Sequence, residues 1–348
     1  MTERHIFTSV TRIADLETCG FELAELPRAE WEAADYIAAR IIGVPSNRYG
    51  LELANGRVLE PMEDDSVIGA LGARAATLEA VGTWEAIEDD GYMHALTGAG
   101  LFGKASSVAQ WVSPMITLRY AGHLMRGGRK LCMGDFVIPV KPQPLVVPVV
   151  LLIGTSMSAG KTTVGRTIIH ELKRMGLRVV GAKVTGAGRF RDILSFRDAG
   201  ADAIIDFVDA GLPSTVVSEA RFAAAMAYML TRVMLEDPDV LVAEAGASPL
   251  EPYNGASAVA ALASQLRCSV LCASDPYAVV GVQTAFDFQP DLVAGPATNT
   301  QAGIDLVRKL TGLDGLNVLR SSSRPRLRAV LERALPELLG SDSHPAPF

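Results

Sequence analysis

Hydrophobic positions fall into two textures along the chain. From residue 145 onward, short unbroken apolar runs alternate with longer stretches whose apolar residues recur every three or four positions. That is the pattern of buried parallel strands joined by amphipathic helices. The runs predict strands at 146–153, 178–183, 240–244, 269–273 and 292–294, and the periodic stretches predict helices at 162–175, 219–235, 257–266, 301–310 and 324–339. Before residue 145 helical periodicity is weak. Strands are expected there at 49–53, 57–61, 115–120 and 130–140, with turns at Asn55-Gly56 and Gly127-Gly128. Pro139, Pro142 and Pro144 crowd the segment between the textures and mark the boundary. The expected chain is α/β: a smaller strand-rich, barrel-like domain at 1–143, a parallel-sheet domain at 144–340 and a flexible tail at 341–348.

Two stretches of the first half look alike. Gly56-Arg57-Val58-Leu59 leads to Asp65-Ser66-Val67-Ile68, and Gly128-Arg129-Lys130-Leu131 leads to Asp135-Phe136-Val137-Ile138. A duplicated hairpin in a small barrel and shared turn chemistry explain this equally well. The glycine-rich stretch 95–104 invites a phosphate-loop reading, but it lacks both a preceding strand and a Gly-Lys-Ser/Thr ending.

The strongest chemical signal follows the boundary. Leu151-Leu152-Ile153 runs into Gly154, Thr155, Ser156, Met157, Ser158, Ala159, Gly160, Lys161, Thr162 and Thr163, so a buried strand, a loop of small residues and an amphipathic helix come in succession. Small side chains let backbone N–H groups curl around phosphate oxygens, and the helix N-terminus adds its positive end. Lys161 reaches the β- and γ-phosphates and Thr162 holds Mg2+. The first glycine stands one place early, at Gly154 where the usual spacing puts Thr155. A second acid is placed by 239–248, where an apolar strand ends in Glu244 and small residues follow. A carboxylate there completes or supports the Mg2+ shell, and it is costly to bury without a cation.

With the early glycine, 154–162 fits without gaps the Gly-Thr-x-x-x-x-Gly-Lys-Thr loop and so resembles the P-loop NTPases of the dethiobiotin synthetase superfamily over about 146–310. The family's acid after Thr is Ser156 here, and no second lysine stands early in the loop. The resemblance implies that Lys183 faces substrate and transferred phosphate, with Thr185 and Gly186 beside it. It also matches Glu244 to the family's acid, with Gly246, Ala247 and Ser248 close to the ligand, and Asn299 to its base-reading asparagine. The stretch 192–201 resembles the accessory GTP-binding protein of molybdopterin guanine dinucleotide synthesis, which makes Asp192 and Asp198 candidate Mg2+ or substrate contacts. No Asn-Lys-x-Asp guanine motif is present. The two-part layout is similar to a bacterial family some of whose members are described as D-glutamate N-acetyltransferases.

Composition narrows the partners. The 348 residues are 49% hydrophobic and 20% charged, with 32 glycines and a formal net charge of −7, which argues against broad adhesion to nucleic acid or an anionic membrane. The longest apolar run, nine residues at 145–153, is interrupted by Pro148 and falls short of the roughly 20 that a spanning helix needs. The N-terminus lacks the apolar core of a secretory signal, so a cytoplasmic location is expected. Cys268 and Cys272 share one face of a strand and read as core thiols, without the ligand spacing of a zinc site. The five histidines are scattered, His170 reads as structural or exposed, and Trp84 and Trp111 are expected in the core or at a domain interface.

The first functional expectation is an ATP- and Mg2+-dependent phosphotransferase or ligase acting on a carboxylate or related oxygen of a small molecule, with GTP as the other nucleotide. Two alternatives stand beside it: a nucleotide-hydrolysing accessory or switch protein for metal or cofactor delivery, and a CoA-dependent N-acyltransferase whose loop grips CoA phosphates. Related P-loop enzymes place active sites at dimer interfaces, which implies a homodimer.

Overall fold

The alternation read before residue 145 closes into a ring of strands. In the computed structural model, which describes residues 4–45 and 50–339, these are β1 (Tyr36–Gly43), β2 (Ser66–Leu71), β3 (Tyr92–Thr97), β4 (Leu101–Val108) and β5 (Thr117–Arg126). β1 pairs with β2 and β5, β5 with β3, β3 with β4, and β4 returns to β2 through Leu101↔Ala70 and Phe102↔Leu71. Closure removes the unpaired edges of the ring, and Ile37, Ile41, Val67, Leu71, Met93, Phe102 and Leu118 pack together as its core. The barrel-like expectation is met.

Several local expectations in this half are corrected. The Asn55-Gly56 turn joins Leu51–Glu52 to Val58–Leu59 as expected, with Tyr49 outside the described residues. Of 130–140, only Lys130 is strand, as the end of Arg129–Lys130; the Asp135 carboxylate accepts the Cys132 N–H at 2.9 Å and the chain folds into a short turn over Met133–Phe136. Asp135-Phe136 therefore has no counterpart of β2, and the apparent repeat is shared turn chemistry. The stretch 95–104 is the β3–β4 hairpin, turned at Gly98 to Gly100, where Gly100 takes a φ of +92°. Trp84 is half-buried against the barrel core, but Trp111 is 69% exposed, contrary to expectation.

The second texture forms a six-stranded parallel sheet of β6 (Val149–Gly154), β7 (Val179–Thr185), β8 (Ala203–Asp206), β9 (Val240–Ala245), β10 (Leu266–Cys272) and β11 (Leu292–Ala294). The spatial order is β8-β7-β9-β6-β10-β11. Helices α1 (Lys161–Arg174), α2 (Phe190–Asp198), α3 (Glu219–Leu235), α4 (Gly255–Leu262), α5 (Pro276–Phe286), α6 (Gln301–Thr311) and α7 (Arg324–Ala334) connect or follow the strands. The helix expected over 324–339 breaks at Leu335 because Pro336 has no N–H for the ladder, and a short turn Pro336–Leu339 follows. The tail at 341–348 lies outside the described residues. No described helix is long and apolar enough to cross a membrane.

The chain divides into two units, Met1–Pro139 with Ala187–Arg191 and Phe207–Ala225, and Val140–Gly186 with Asp192–Asp206 and Met226–Phe348. The two later segments of the first unit would fall in the second if the proline segment alone set the boundary. Within that unit, Glu52 accepts from Ser9 Oγ at 2.5 Å and from the N–H groups of Phe190 and Arg191 at 2.6 and 2.7 Å, and Arg12 pairs with Asp209 at 2.9 Å. Such distant partners leave no trace in local sequence.

Candidate functional site

β6 is buried along its length, as its unbroken apolar run requires, and it delivers the chain to the loop 155–160 at the carboxyl edge of the sheet. At that edge the sheet order reverses direction around β6, which is where open parallel sheets bind ligands. Gly160, at φ +87°, turns the loop into α1 and leaves Lys161 as the first helical residue. Lys161 is 2% exposed, and its Nζ donates to the Ser156 carbonyl at 2.6 Å.

That path explains the displaced glycine. A Cβ on Gly154 would meet Lys161 Nζ at 2.6 Å and Cδ at 2.9 Å, because the lysine side chain lies directly over the glycine. Thr155 tolerates a side chain: its N–H donates to the Cys272 carbonyl at 3.0 Å and its Oγ1 accepts the Ser274 N–H at 3.1 Å. Gly154→Ala should therefore weaken binding of pyrophosphate by about tenfold or more, with thermal unfolding of the ligand-free chain changed much less, since the closest contacts are to the flexible end of one lysine and the Ser156 carbonyl, at 3.1 Å, has only to give slightly. Calorimetric titration reads the first and a melting scan the second; unchanged affinity would contradict this account of the glycine.

Across the sheet, Leu152 on β6 is in register with Glu244 on β9, Glu244 with Lys183 on β7, and Lys183 with Asp206 on β8. Register partners in a parallel sheet share a face, so three ionisable groups stand in a row. Glu244 and Lys183 are each 3% exposed. Glu244 Oε2 accepts from Thr162 Oγ1 at 2.9 Å, and Lys183 Nζ meets Asp192 Oδ2 at 2.5 Å. The structure thus brings Lys161, Thr162, Lys183, Asp192 and Glu244 to one edge. Asp198 does not join them. It stands at the far end of α2, six residues beyond Asp192 and about 9 Å along the helix axis, where it lines another cavity with Arg166 and His170.

Sequence reasoning missed Asp206, although its signal was that of Glu244, an apolar strand ending in an acid.

The buried charges tune one another. Burial pushes the Glu244 carboxyl above its ordinary 4.5, opposed by Lys183 and Lys161. Burial likewise lowers Lys161 below 10.5, with Glu244 opposing. For Lys183, burial acts downward, but Asp192, Glu244 and Asp206 together hold it above 10.5.

The small residues beside these groups serve the backbone. Thr185 Oγ1 donates to the Gly246 carbonyl at 3.0 Å, and the Gly246 N–H returns to the Thr185 carbonyl at 3.1 Å. A Cβ on Gly246 would sit 2.3 Å from that carbonyl, so its close approach is to β7. Gly186 takes a φ of +134° and Ala247 the left-handed φ of +61°, and the Ser248 N–H donates to Glu251 Oε2 at 2.7 Å. The exposed Asn299 lines a cavity of about 140 Å³ with Gly160, Thr163, Pro296, Asn317 and Leu319, and its carbonyl accepts from Asn317 Nδ2 at 3.2 Å. Asn317 was not anticipated. Met157, Ser158 and Ala159 complete the loop, where Gly295 packs so closely that a Cβ would come within 2.5 Å of the Ala159 carbonyl.

The oxygen donors suit Mg2+, which commonly takes one or two carboxylates with phosphate oxygens and water. A hydroxyl already bonded to a buried carboxylate at a helix N-terminus is such a set. Among the described residues no cluster of three or more His, Cys, Asp or Glu could hold a metal.

No protein-family model and no curated protein matches the chain. Among solved structures it is similar to the signal recognition particle receptor FtsY from Elizabethkingia anophelis, at 14% identity and TM-score 0.35, covering 55% of this chain and 66% of that one. It is similar to a DUF1611 family protein from Anabaena variabilis, at 18% identity and TM-score 0.37, covering 56% and 62%. HypB from Helicobacter pylori, in complex with nickel, matches at 15% identity and TM-score 0.36, covering 57% and 92%. The chain spans about two thirds or less of the first two of these structures. With its strand, phosphate loop, helix and second acid in place, the second half has the fold of a P-loop NTPase.

Proposed function

We propose that this chain binds a nucleoside triphosphate with Mg2+ at the edge formed by 154–163, Lys183 and Glu244, and transfers the terminal phosphoryl group to an oxygen of a small molecule, a carboxylate being the first candidate. The observation that supports this most is the 2.9 Å bond from Thr162 Oγ1 to the buried Glu244 carboxylate, beside two buried lysines. The loop N–H groups and the α1 N-terminus would orient the polyphosphate, and Lys161 would leave the Ser156 carbonyl for the phosphate oxygens. Thr162 and Glu244 would hold Mg2+, which supplies charge neutralisation on those oxygens. Lys183 would bridge the moving phosphoryl group and the acceptor oxygen. The terminal P–O bond to the diphosphate breaks as the acceptor O–P bond forms, with nucleoside diphosphate leaving.

The pKa directions give the pH dependence. Glu244 must be ionised to accept from Thr162, and its raised pKa places the acid limb above pH 4.5; Lys161 must be charged, and its lowered pKa places the alkaline limb below pH 10.5. A kcat/KM profile should be a bell narrowed on both sides, with the acid limb missing in Glu244→Gln; limbs at or outside 4.5 and 10.5 would contradict the assignment.

The deciding experiment is nucleoside diphosphate release from ATP and from GTP with a panel of small carboxylic acids. Stimulation of about tenfold or more by one acid supports transfer. Release raised by a protein fraction and by no acid would replace transfer with a partner-gated switch, and thermal stabilisation by acetyl-CoA but by neither triphosphate would replace it with acyl transfer.

A further inference from the structure

The outer face of α1 carries a cavity of about 390 Å³ beside the site above, which it meets at Thr163. Thr163, Arg166, Thr167 and His170 line it from α1, Asp198 from the end of α2 and Arg324 from the start of α7. The α1 residues are spaced by three, one and three, so they form one helical face. Thr163, Val318 and Leu319 line both this cavity and the 140 Å³ cavity beside Asn299, which makes the two neighbours.

The cations around it divide by pairing. Arg174 and Arg328 meet Glu171 at 3.7 and 3.9 Å, Arg328 also meets Glu332 at 2.8 Å, and Arg308 and Arg326 meet Asp314 at 2.8 and 3.2 Å. Arg166, His170 and Arg324 line the cavity and have no ion-pair or hydrogen-bond partner among the described residues. Two carboxylates line the cavity: Glu171 sits against its two arginines, and Asp198 shares the lining with two guanidiniums, an imidazole and the Thr163 and Thr167 side chains.

We infer that this cavity is a phosphate subsite, for a phosphate group carried on the ribose of the bound nucleotide or free in solution. The inference rests on the nucleotide reading of 154–163. Guanidinium pairs bind phosphate through parallel charge-assisted hydrogen bonds, and the Thr163 hydroxyl adds a donor, while that of Thr167 already donates to the Thr163 carbonyl at 3.2 Å. Arg166 lies five residues past Lys161, about 7.5 Å along the axis of α1. The residues that this cavity shares with the Asn299 cavity would set the ribose of a nucleotide with its base there beside the Arg166 side chain. The exposed Leu319, shared by the two cavities, offers an apolar surface between base and ribose.

Calorimetric titration of the full chain tests it, using ADP and GDP, 3′-phosphorylated ADP, 3′-diphosphorylated GDP, and inorganic phosphate in the presence of each parent diphosphate. At low salt a 3′-phosphorylated form should bind at least tenfold more tightly than its parent. In the Arg166→Gln/Arg324→Gln variant that gain should fall below threefold, with the parent's affinity unchanged. If the gain is absent but inorganic phosphate binds at millimolar concentration and loses its affinity in the variant, the source is the free ion and the subsite stands. No gain together with no phosphate binding, or either one surviving the double substitution, overturns the proposal. Failure of ADP and GDP to bind the wild-type chain, with phosphate still lost in the variant, would overturn the nucleotide reading and leave the subsite in place.

Discussion

Lys161→Ala should lower turnover by about 10²–10³ while leaving the ligand-free chain as stable as wild type or slightly more so. The two halves of this result have one cause. The ammonium is held in a buried position where its charge is disfavoured, and among the described residues it donates to the Ser156 carbonyl. Removing it takes away a desolvated charge, and the cost is that Glu244 keeps only Lys183 as its cation. When polyphosphate is bound, the same ammonium meets full negative charge in a site that excludes water, where losing one such donor costs on the order of 10²–10³ in turnover. A variant that loses activity and keeps its stability marks a group retained for function at the expense of the fold. Turnover and a denaturation midpoint measured on one preparation decide it; unchanged turnover and nucleotide affinity would end the phosphoryl-transfer reading.

The site was legible where its determinants are consecutive. A strand, a small-residue loop and a helix follow one another over 149–174, so that arrangement can be read directly, and the early glycine makes sense once the lysine is seen lying over it. Glu244 was legible because an acid at the end of an apolar strand demands a cation. Asp206 carried the same signal more faintly, since its strand has only four residues and one of them is half-exposed. The helix α5 also had a local mark, Asp275 accepting from the N–H groups of Tyr277 and Ala278 with Pro276 at the first turn. What could not be read is whatever depends on distant partners. The Glu52 carboxylate meets backbone N–H groups 138 and 139 residues away, and closing the barrel requires β4 to pair in parallel with β2. The strand expected over 130–140 failed for a related reason, because alternation predicts a strand only where a neighbour exists to pair with it.

Lys183→Met should show the opposite signature, with turnover and stability both lost. Lys183 keeps the raised pKa of a buried lysine that is well paired, held by Asp192 at 2.5 Å, by Glu244 in register on one side and by Asp206 on the other. Methionine fills similar volume, so the cavity cost is small and the loss comes from carboxylates left without their cation. Breaking a buried ion pair from one side costs about 3–5 kcal/mol. The pH dependence separates this from a packing defect. A lysine whose folded pKa is raised contributes stability that is fully present below its unfolded value near 10.5 and is lost as pH rises through the folded value. Wild type should therefore weaken above that range while the variant does not. On the acid side Glu244, already pushed up by burial and now missing the cation that opposed this most strongly, should protonate more readily, so the deficit of Lys183→Met should shrink as pH falls from 8 toward 5. Urea midpoints at pH 5, at pH 8 and at about pH 12, above the unfolded lysine value, measure all three expectations. A deficit independent of pH would mean that the methionine packs badly and that the charges in the row do not hold one another. Adding Glu244→Gln to Lys183→Met should restore part of the lost stability, because it removes a buried charge that Lys183 no longer balances, yet it should restore no turnover.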